Sequence, residues 1–214
     1  MLTISSQQAA HYTQNGFLEL EGMLSPSECE ALFSAIKQTL QKRAGKDVMQ
    51  YIHGRDLWRD APLLKTTLLS KKLSGLACAV TQKPTLRLAC DQWFPPGYTL
   101  KTPEKIERLF SIQGLICTIF IQLDPGLVQP VGKTTPLGLF PFPHGQGSVL
   151  LMKPSLLLNW PQVTPDMGLY CVSFCFPTSV YVQNAHDPAG VNLRKLDYGY
   201  GDPLRSDTHP LIHP

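Results

Sequence analysis

Residues 115–123 read L-I-C-T-I-F-I-Q-L, a run of nine residues in which β-branched and aromatic side chains predominate. A run of this kind is typical of a β-strand. Similar segments occur on both sides of it, at residues 85–94, 148–152, 169–176 and 180–183. Proline and glycine residues separate them, as in the P-P-G of residues 95–97, and these residues favour turns. The chain from about residue 83 onward is therefore predicted to form a series of short strands.

The first half of the chain carries helix signals instead. Ser25, Pro26 and Glu28 form a capping box with proline at the first helical position, so a helix is predicted to begin there and to reach about Lys42. Its apolar residues recur at helical spacing, at positions 29, 32, 33, 36 and 40. A shorter helix is predicted over residues 5–15, ending at Gly16, with a short strand after it, and a further helix over residues 61–79.

Helices followed by strands predict an α+β fold with a largely antiparallel sheet closed as a sandwich or barrel. The chain has 214 residues, 19 of them proline and 16 glycine, which suits one domain and argues against an all-α fold. We expect a single domain over residues 1–191, with a helical part (about 1–82) and a strand-rich part (about 83–191). Residues 192–214 lack apolar periodicity and are expected to form an irregular, partly loose tail.

Composition restricts the class of protein. Hydrophobic residues make up 43% and charged residues 16%, values that exclude a disordered chain, and no apolar run reaches the roughly 18 residues of a membrane span. Residues 1–10 have neither the basic cluster nor the apolar stretch of a signal peptide, so we expect a cytoplasmic protein with no membrane partner. The six cysteines include no C-x-x-C pair and are expected to be reduced, buried thiols.

Several segments, taken in order, resemble the phytanoyl-CoA dioxygenase-like proteins of the Fe(II)/2-oxoglutarate-dependent oxygenase superfamily. Residues 12–32, Y-T-Q-N-G-F-L-E-L-E-G-M-L-S-P-S-E-C-E-A-L, resemble the family's opening helix, strand and capped helix. Residues 86–94 with the following P-P-G, residues 116–124, and residues 139–152, L-F-P-F-P-H-G-Q-G-S-V-L-L-M, resemble later strands and turns. The resemblance covers about residues 8–176 and implies a double-stranded β-helix, the cupin-like jelly roll, with N-terminal helices packed against the sheet.

The family's catalytic pattern is absent from the matching positions. The resemblance implies Fe(II) held by two histidines and one carboxylate, supplied by an H-x-D or H-x-E pair and a distant histidine. This sequence contains no such pair, and the ligand positions fall on Ser111, Gln113 and Asn159. The arginine that would pair with the carboxylate of 2-oxoglutarate falls near Tyr170. The resemblance, without these residues, therefore predicts a catalytically degenerate protein, and we expect it to bind no cofactor. Its predicted role is that of a binding or regulatory protein whose partner, a small molecule or a protein, is unknown.

Two alternatives remain open from the sequence. An active oxygenase with an atypical ligand set would draw Fe(II) ligands from His144, His186 and Asp187, with 2-oxoglutarate as cosubstrate. His144 matches a family turn position, and its expected role under the resemblance is structural.

The second alternative is a nucleic-acid-binding regulator. Residues 37–108 hold 14 Lys or Arg against 6 Asp or Glu, whereas the whole chain has a net charge of only +3. Such a block attracts phosphate, although its bases are dispersed and are also typical of a solvated face. The residues that would contact nucleic acid are Lys42, Arg43, Arg55, Arg59, Lys71 and Lys72.

Overall fold

The structure, a computed structural model, describes residues 4–44, 51–98, 102–124, 138–139, 142–160 and 168–213. In the described residues a six-stranded sheet has the order β1-β5-β4-β7-β2-β8, and a two-stranded sheet pairs β3 with β6. All of these strand pairs are antiparallel. The strands are β1 (Phe17–Leu20), β2 (Leu86–Phe94), β3 (Glu104–Lys105), β4 (Ile112–Ile121), β5 (Val149–Met152), β6 (Leu157–Leu158), β7 (Leu169–Tyr181) and β8 (Leu211–Ile212).

The large sheet curls into a half-barrel, with the helices on its outer face, so the predicted α+β jelly-roll fold is confirmed. The helices are α1 (Ser6–Asn15), α2 (Pro26–Ala44), α3 (Pro62–Leu68), α4 (Ser74–Thr81) and α5 (Val191–Arg194). Short 3-10 helices cover Tyr51–Gly54, Leu57–Arg59 and Ile106–Arg108. Strands β3, β6 and β8 have two residues each, too few for a sequence pattern to mark them.

Local capping explains where α2 begins and where α1 ends. The Ser25 hydroxyl accepts from the Glu28 N–H at 3.2 Å, and the Glu28 carboxylate accepts from the Ser25 N–H at 2.7 Å, which is the predicted capping box. Gly16 ends α1 in the left-handed conformation, with φ of +83°. The apolar face of α2 packs into the core on the outer face of the sheet.

The single helix predicted over residues 61–79 is wrong, because the structure forms two helices with a turn between them. Leu64 and Leu68 face the core from α3, whereas the next core leucine, Leu73, comes five residues later. A spacing of five residues does not fit a 3.6-residue period, so one straight helix could not bury both sets. The chain turns at Ser70, whose hydroxyl donates to the carbonyl of Thr67 at 2.6 Å.

The half-barrel has two apolar faces. A β-bulge between Leu88 and Cys90 shifts the register of β2 against β7. Leu88 packs under the helices, whereas Cys90 and Phe94 join the cluster inside the half-barrel, beneath the small β3–β6 sheet. The interior of the jelly roll is therefore distinct from the core beneath the helices.

The described C-terminal residues, up to residue 213, have little regular structure but pack against the rest of the chain. Strand β8 pairs with β2, and Leu204 and His209 are fully buried. The buried Arg87 guanidinium holds the segment by donating to the carbonyls of His209 and Pro177. In the sequence, this contact is marked by Arg87, because a charged residue inside a buried strand needs a partner.

Two further features concern the cysteines and the length of the helices. All six cysteines are buried and free, as the sequence predicted. Among the described residues, no helix has both the length and the apolar character that crossing a membrane requires.

Candidate functional site

The interior of the half-barrel, where the resemblance would place a metal centre, is filled by apolar side chains. The Trp160 ring lies 4.8 Å from the ring of Phe94 and 6.2 Å from the ring of Phe120, measured between centroids. Leu150 and Cys171 complete the cluster from β5 and β7, and each of these five side chains is at most 1% exposed. Among the described residues these contacts form a packed, largely apolar core, in which Trp160 Nε1 is buried without a hydrogen-bond partner.

A buried ion pair borders this apolar cluster. Arg55 Nη2 lies 3.1 Å from Asp187 Oδ1, and Arg55 Nη1 lies 3.3 Å from Oδ2, with side-chain exposures of 4% and 0%. Arg55 Nε donates to Gln92 Oε1 at 2.8 Å, and Arg55 Nη2 donates to Tyr51 Oη at 3.3 Å. The Arg55 guanidinium also lies 4.3 Å from the centre of the Phe110 ring.

The surroundings of Arg55 favour its charged form. Burial alone lowers the pKa of Arg55, but its interactions with Tyr51 and with the Asp187 carboxylate raise the pKa well above its ordinary value. Asp187 also accepts the N–H groups of Ser111, at 2.8 Å, and Ala189, at 3.1 Å. The carboxylate is thus saturated by protein donors, and no free lone pair points into the barrel.

The sequence predicted a role for each member of this pair, but at two different sites. Arg55 was expected among nucleic-acid contacts and Asp187 among alternative metal ligands, but they neutralise each other across 132 residues of sequence. Gln92 and Tyr51, which complete the network, were not predicted. The sequence signal for Gln92 is that it is a polar residue in a strand that is buried throughout, where a polar side chain needs a partner.

The four positions that match the family's functional residues are not assembled into a site. Ser111 is buried beside the Asp187 loop, and Gln113 is exposed. The backbone N–H of Asn159 donates to the carbonyl of Leu139 at 2.9 Å, near the small sheet. Tyr170 points to the opposite face of the sheet, into the core beneath the helices, where its hydroxyl donates to Asp91. The serine hydroxyl and the two amides are poor iron ligands, and the Tyr170 hydroxyl is committed to Asp91.

Tyr170 instead belongs to a buried polar pair. Burial first, and then the neighbouring carboxylate of Asp56, raise the pKa of Asp91 to about 7. The Trp58 N–H also donates to Asp91, at 3.2 Å, which ties the 3-10 helix at Leu57–Arg59 to β2. This pair joins helices to sheet and lies away from the barrel interior.

The alternative metal set is also separated. His144 Nδ1 lies 2.6 Å from Glu19 Oε2, and His144 N–H donates to Glu19 Oε1, so this histidine fixes a turn to strand β1. His186 is exposed, and Asp187 is held by Arg55. Residues 4–44, 51–98, 102–124, 138–139, 142–160 and 168–213 contain no group of three His, Cys, Asp or Glu able to hold a metal ion.

All six histidines of the sequence fall within the described residues, so the position of each can be compared with that of an iron ligand. Five are exposed or half-buried, and the buried one, His209, contacts Tyr198 and Arg59 beside the C-terminal segment. Arg59 can only donate, so Nε2 of His209 accepts and Nδ1 carries the proton. Within the part of the chain that the structure describes, the histidines and carboxylates are not grouped as Fe(II) held by two histidines and a carboxylate would require.

The residues predicted to contact nucleic acid are largely committed to the fold. Arg43 donates to the carboxylate of Asp60 and to the carbonyls of residues 53, 55 and 56. Arg59 donates to the Thr208 carbonyl, and Lys72 pairs with Glu28 at 2.7 Å. Lys42 and Lys71 are exposed. Arg43, Arg55 and Arg59 line one cavity beside α5, although most of their donors are used within the fold.

Comparison with known proteins extends these observations. No protein-family model matches the sequence, and no curated protein matches it. The non-heme α-ketoglutarate-dependent carbocyclase SnoK from nogalamycin biosynthesis is similar in structure, with a TM-score of 0.71 and 16% identity over 97% of this chain and 96% of that chain. The chain has the jelly-roll fold of a non-heme oxygenase.

Two further solved structures agree. The epimerase SnoN, also from nogalamycin biosynthesis, gives a TM-score of 0.69 at 15% identity over 97% of this chain and 95% of that chain. HygX from Streptomyces hygroscopicus, solved with nickel and 2-oxoglutarate bound, gives 0.56 at 14% identity over 82% and 88%. The resemblance read from the sequence is confirmed at the level of the fold, and at these identities fold does not specify activity.

Proposed function

We propose that the chain is a non-enzymatic binding or regulatory protein built on the scaffold of the Fe(II)/2-oxoglutarate-dependent oxygenases. The observation that carries the proposal is the filled interior, in which Trp160, Phe94 and Phe120 occupy the space beneath the small sheet. A non-heme iron enzyme needs a polar cavity there, lined by three ligands and open to a cosubstrate.

The buried pair supports the same proposal. The Arg55 guanidinium lies against Phe110 at the edge of this interior, and a free guanidinium there would suit the carboxylate of 2-oxoglutarate. Here its donors are directed to Asp187, Gln92 and Tyr51. A cosubstrate carboxylate would have to displace Asp187 and leave that carboxylate buried without a partner, which is unfavourable.

An active oxygenase with another ligand set is the competing proposal. It is favoured by the structural neighbours, which are described as α-ketoglutarate-dependent enzymes. It requires His144, His186 and Asp187, or a different set, to come together from their present positions.

Anaerobic titration with Fe(II) and 2-oxoglutarate separates the two proposals. We expect no visible metal-to-ligand charge-transfer band at millimolar ligand. A band that saturates at one equivalent of iron would contradict the binding-protein proposal. Its loss in His186→Ala but not in His11→Ala, a matched exposed histidine, would assign the iron to the atypical set.

A further inference from the structure

Residues 205–213, the last that the structure describes, cover one edge of the large sheet and form what we call the C-terminal strap. Strand β8 of the strap pairs with Leu86 and Arg87 of β2, and the Leu88 N–H donates to the carbonyl of Pro210 at 3.0 Å. A ladder this short contributes few hydrogen bonds, so the strap depends on further contacts to stay closed.

Several of these further contacts meet at His209, whose ring is fully buried. Its backbone carbonyl accepts from Arg87, and the neighbouring carbonyl of Thr208 accepts from Arg59 Nη1 at 2.5 Å. In the ring, Nε2 accepts from Arg59 Nη2 at 3.3 Å, and Nδ1 lies 3.0 Å from Tyr198 Oη. His209 therefore joins the strap to a 3-10 helix, to β2 and to Tyr198.

The charged groups that face His209 are all cations. Arg59 faces it from the 3-10 helix, Arg87 from β2 and Arg205 from the strap itself. Among the described residues, His209 and Arg87 form no ion pair. The surroundings therefore favour a neutral ring. The carboxylates nearby are bound to the other two arginines, Asp56 to Arg59 at 3.5 Å and Asp207 to Arg205 at 3.6 Å.

A second proton on His209 is incompatible with these contacts. It would enter at Nε2, because Nδ1 already carries a hydrogen, and Nε2 would then become a donor directed at the donor of Arg59. The resulting imidazolium would lie buried among three guanidiniums. Burial first, and then these arginines, lower the pKa of His209 from 6.5 to about 3. In a released strap the ring is hydrated and regains its ordinary pKa.

The strap should open more easily than the sheet unfolds. Among residues 205–213, all of which the structure describes, Ile212 is the one buried apolar side chain. Strands β4 and β7 in the middle of the sheet bury long apolar runs instead. Segments with few buried apolar contacts open locally, at a lower free energy than the whole fold.

From this geometry we infer that the C-terminal strap is a pH-sensitive cover, which acid releases from β2 through protonation of His209 while the sheet stays folded. Release removes the strap partners of the Leu88 N–H and of the Arg87 guanidinium, and it makes β2 the edge of the sheet. The inference goes beyond the proposed function and does not depend on whether the barrel interior holds iron.

Amide hydrogen exchange of the whole chain, followed by NMR, tests the inference. The Leu88 amide reports on the strap, and the Ile119 amide, in the middle of the sheet, reports on global unfolding. After correction for the intrinsic pH dependence of exchange, protection of Leu88 should fall about thirtyfold from pH 7.5 to 5, because the released ring binds a proton with its ordinary pKa. Leu88 should also be less protected than Ile119 at both pH values.

Matched variants assign the effect to His209. His209→Gln keeps an amide that can accept from Arg59 and gains no proton, so it should abolish the pH dependence at Leu88. His213→Gln makes the same change at an exposed histidine of the strap and should leave the dependence intact. A fall in protection that persists in His209→Gln would overturn the inference. Equal protection of Leu88 and Ile119 would also overturn it, since the strap would then open only by global unfolding.

A measurement on the natural chain covers the case in which His209→Gln does not fold. The ring resonances of His209 should be those of a neutral imidazole with hydrogen on Nδ1 at pH 5, while protection of Leu88 has already fallen. A His209 ring that is protonated at this pH, with Leu88 as protected as at pH 7.5, would show that the closed strap accepts the charge. That result would contradict the inference.

Discussion

At the scale of single residues, the Arg55–Asp187 pair exerts the strongest constraint, because both side chains are buried and each is the other's counter-charge. Replacing Asp187 by Ala leaves the guanidinium buried without compensation. We expect Asp187→Ala to lower the free energy of unfolding by about 3–5 kcal/mol, measured by urea denaturation.

The double variant Arg55→Met/Asp187→Leu provides the control. It removes both charges and retains apolar volume, so its loss should be smaller than that of Asp187→Ala. A loss below about 1 kcal/mol for Asp187→Ala would show that the pair is not coupled as the structure indicates. A loss for the double variant equal to the sum of the losses for Asp187→Ala and Arg55→Met would show the same.

His209 gives a second prediction at the residue scale, from pH. Burial first, and then the charges of Arg59, Arg87 and Arg205, lower the pKa of His209 from 6.5 to about 3. Unfolding restores the ordinary pKa, so the unfolded state binds the proton more tightly. The stability that depends on neutral His209 is complete above about pH 6.5 and is lost as the pH falls from there toward 3.

The measurement is the free energy of unfolding of the natural chain minus that of His209→Gln, between pH 4 and 7.5. The difference should fall with decreasing pH below about 6.5, with a slope of up to about 1.4 kcal/mol per pH unit. Carboxylates that titrate in this range contribute to both proteins and cancel. A difference that does not vary with pH would show that His209 is not held neutral.

At the scale of elements, the turn before β5 depends on close approach of two backbone segments. Gly147 has φ of +79°, its carbonyl accepts the N–H of Leu24 at 2.9 Å, and a Cβ on Gly147 would lie 2.0 Å from the carbonyl oxygen of Leu24. Gly22 has φ of +61°, and a Cβ added to Gly22 would have no other atom within 4 Å. The two glycines therefore separate conformational strain from steric conflict.

We expect Gly22→Ala to cost about 1 kcal/mol, the usual penalty for a left-handed alanine. Gly147→Ala should cost at least about 2 kcal/mol more, because the loop must also move away from residues 23–25 and break the Leu24 hydrogen bond. Thermal and urea unfolding of both variants measures the difference. Equal losses would mean that this turn does not pack against Leu24 as described.

Elements with strong local signals were predictable, and elements set by tertiary contacts were not. The capping box at Ser25 and the glycine stop at Gly16 fixed the ends of two helices. The break between α3 and α4 follows from the five-residue spacing of Leu68 and Leu73, which becomes informative only once both are known to face one core. The two-residue strands form only because a partner strand is already in place.

At the scale of the whole molecule, the fold was predictable from the order of helices, strands and turns. This order is similar in proteins of the same fold even where individual residues differ. The placement of functional side chains was not predictable, since it depends on which face each strand presents. Tyr170 illustrates this: it matches a cosubstrate position by sequence order, yet its side chain lies under the helices. The pairing of Arg55 with Asp187 spans the chain and has no local signature.

The central claim at this scale is that the half-barrel interior is a packed core that holds neither Fe(II) nor 2-oxoglutarate. Any ligand that binds the native state alone raises the free energy of unfolding, by about 2.7 kcal/mol at a hundred times its Kd. Urea unfolding under anaerobic conditions, with and without millimolar Fe(II) and 2-oxoglutarate, therefore tests the claim directly. We predict the same free energy of unfolding in both conditions, and an increase that requires both ligands together would contradict the claim.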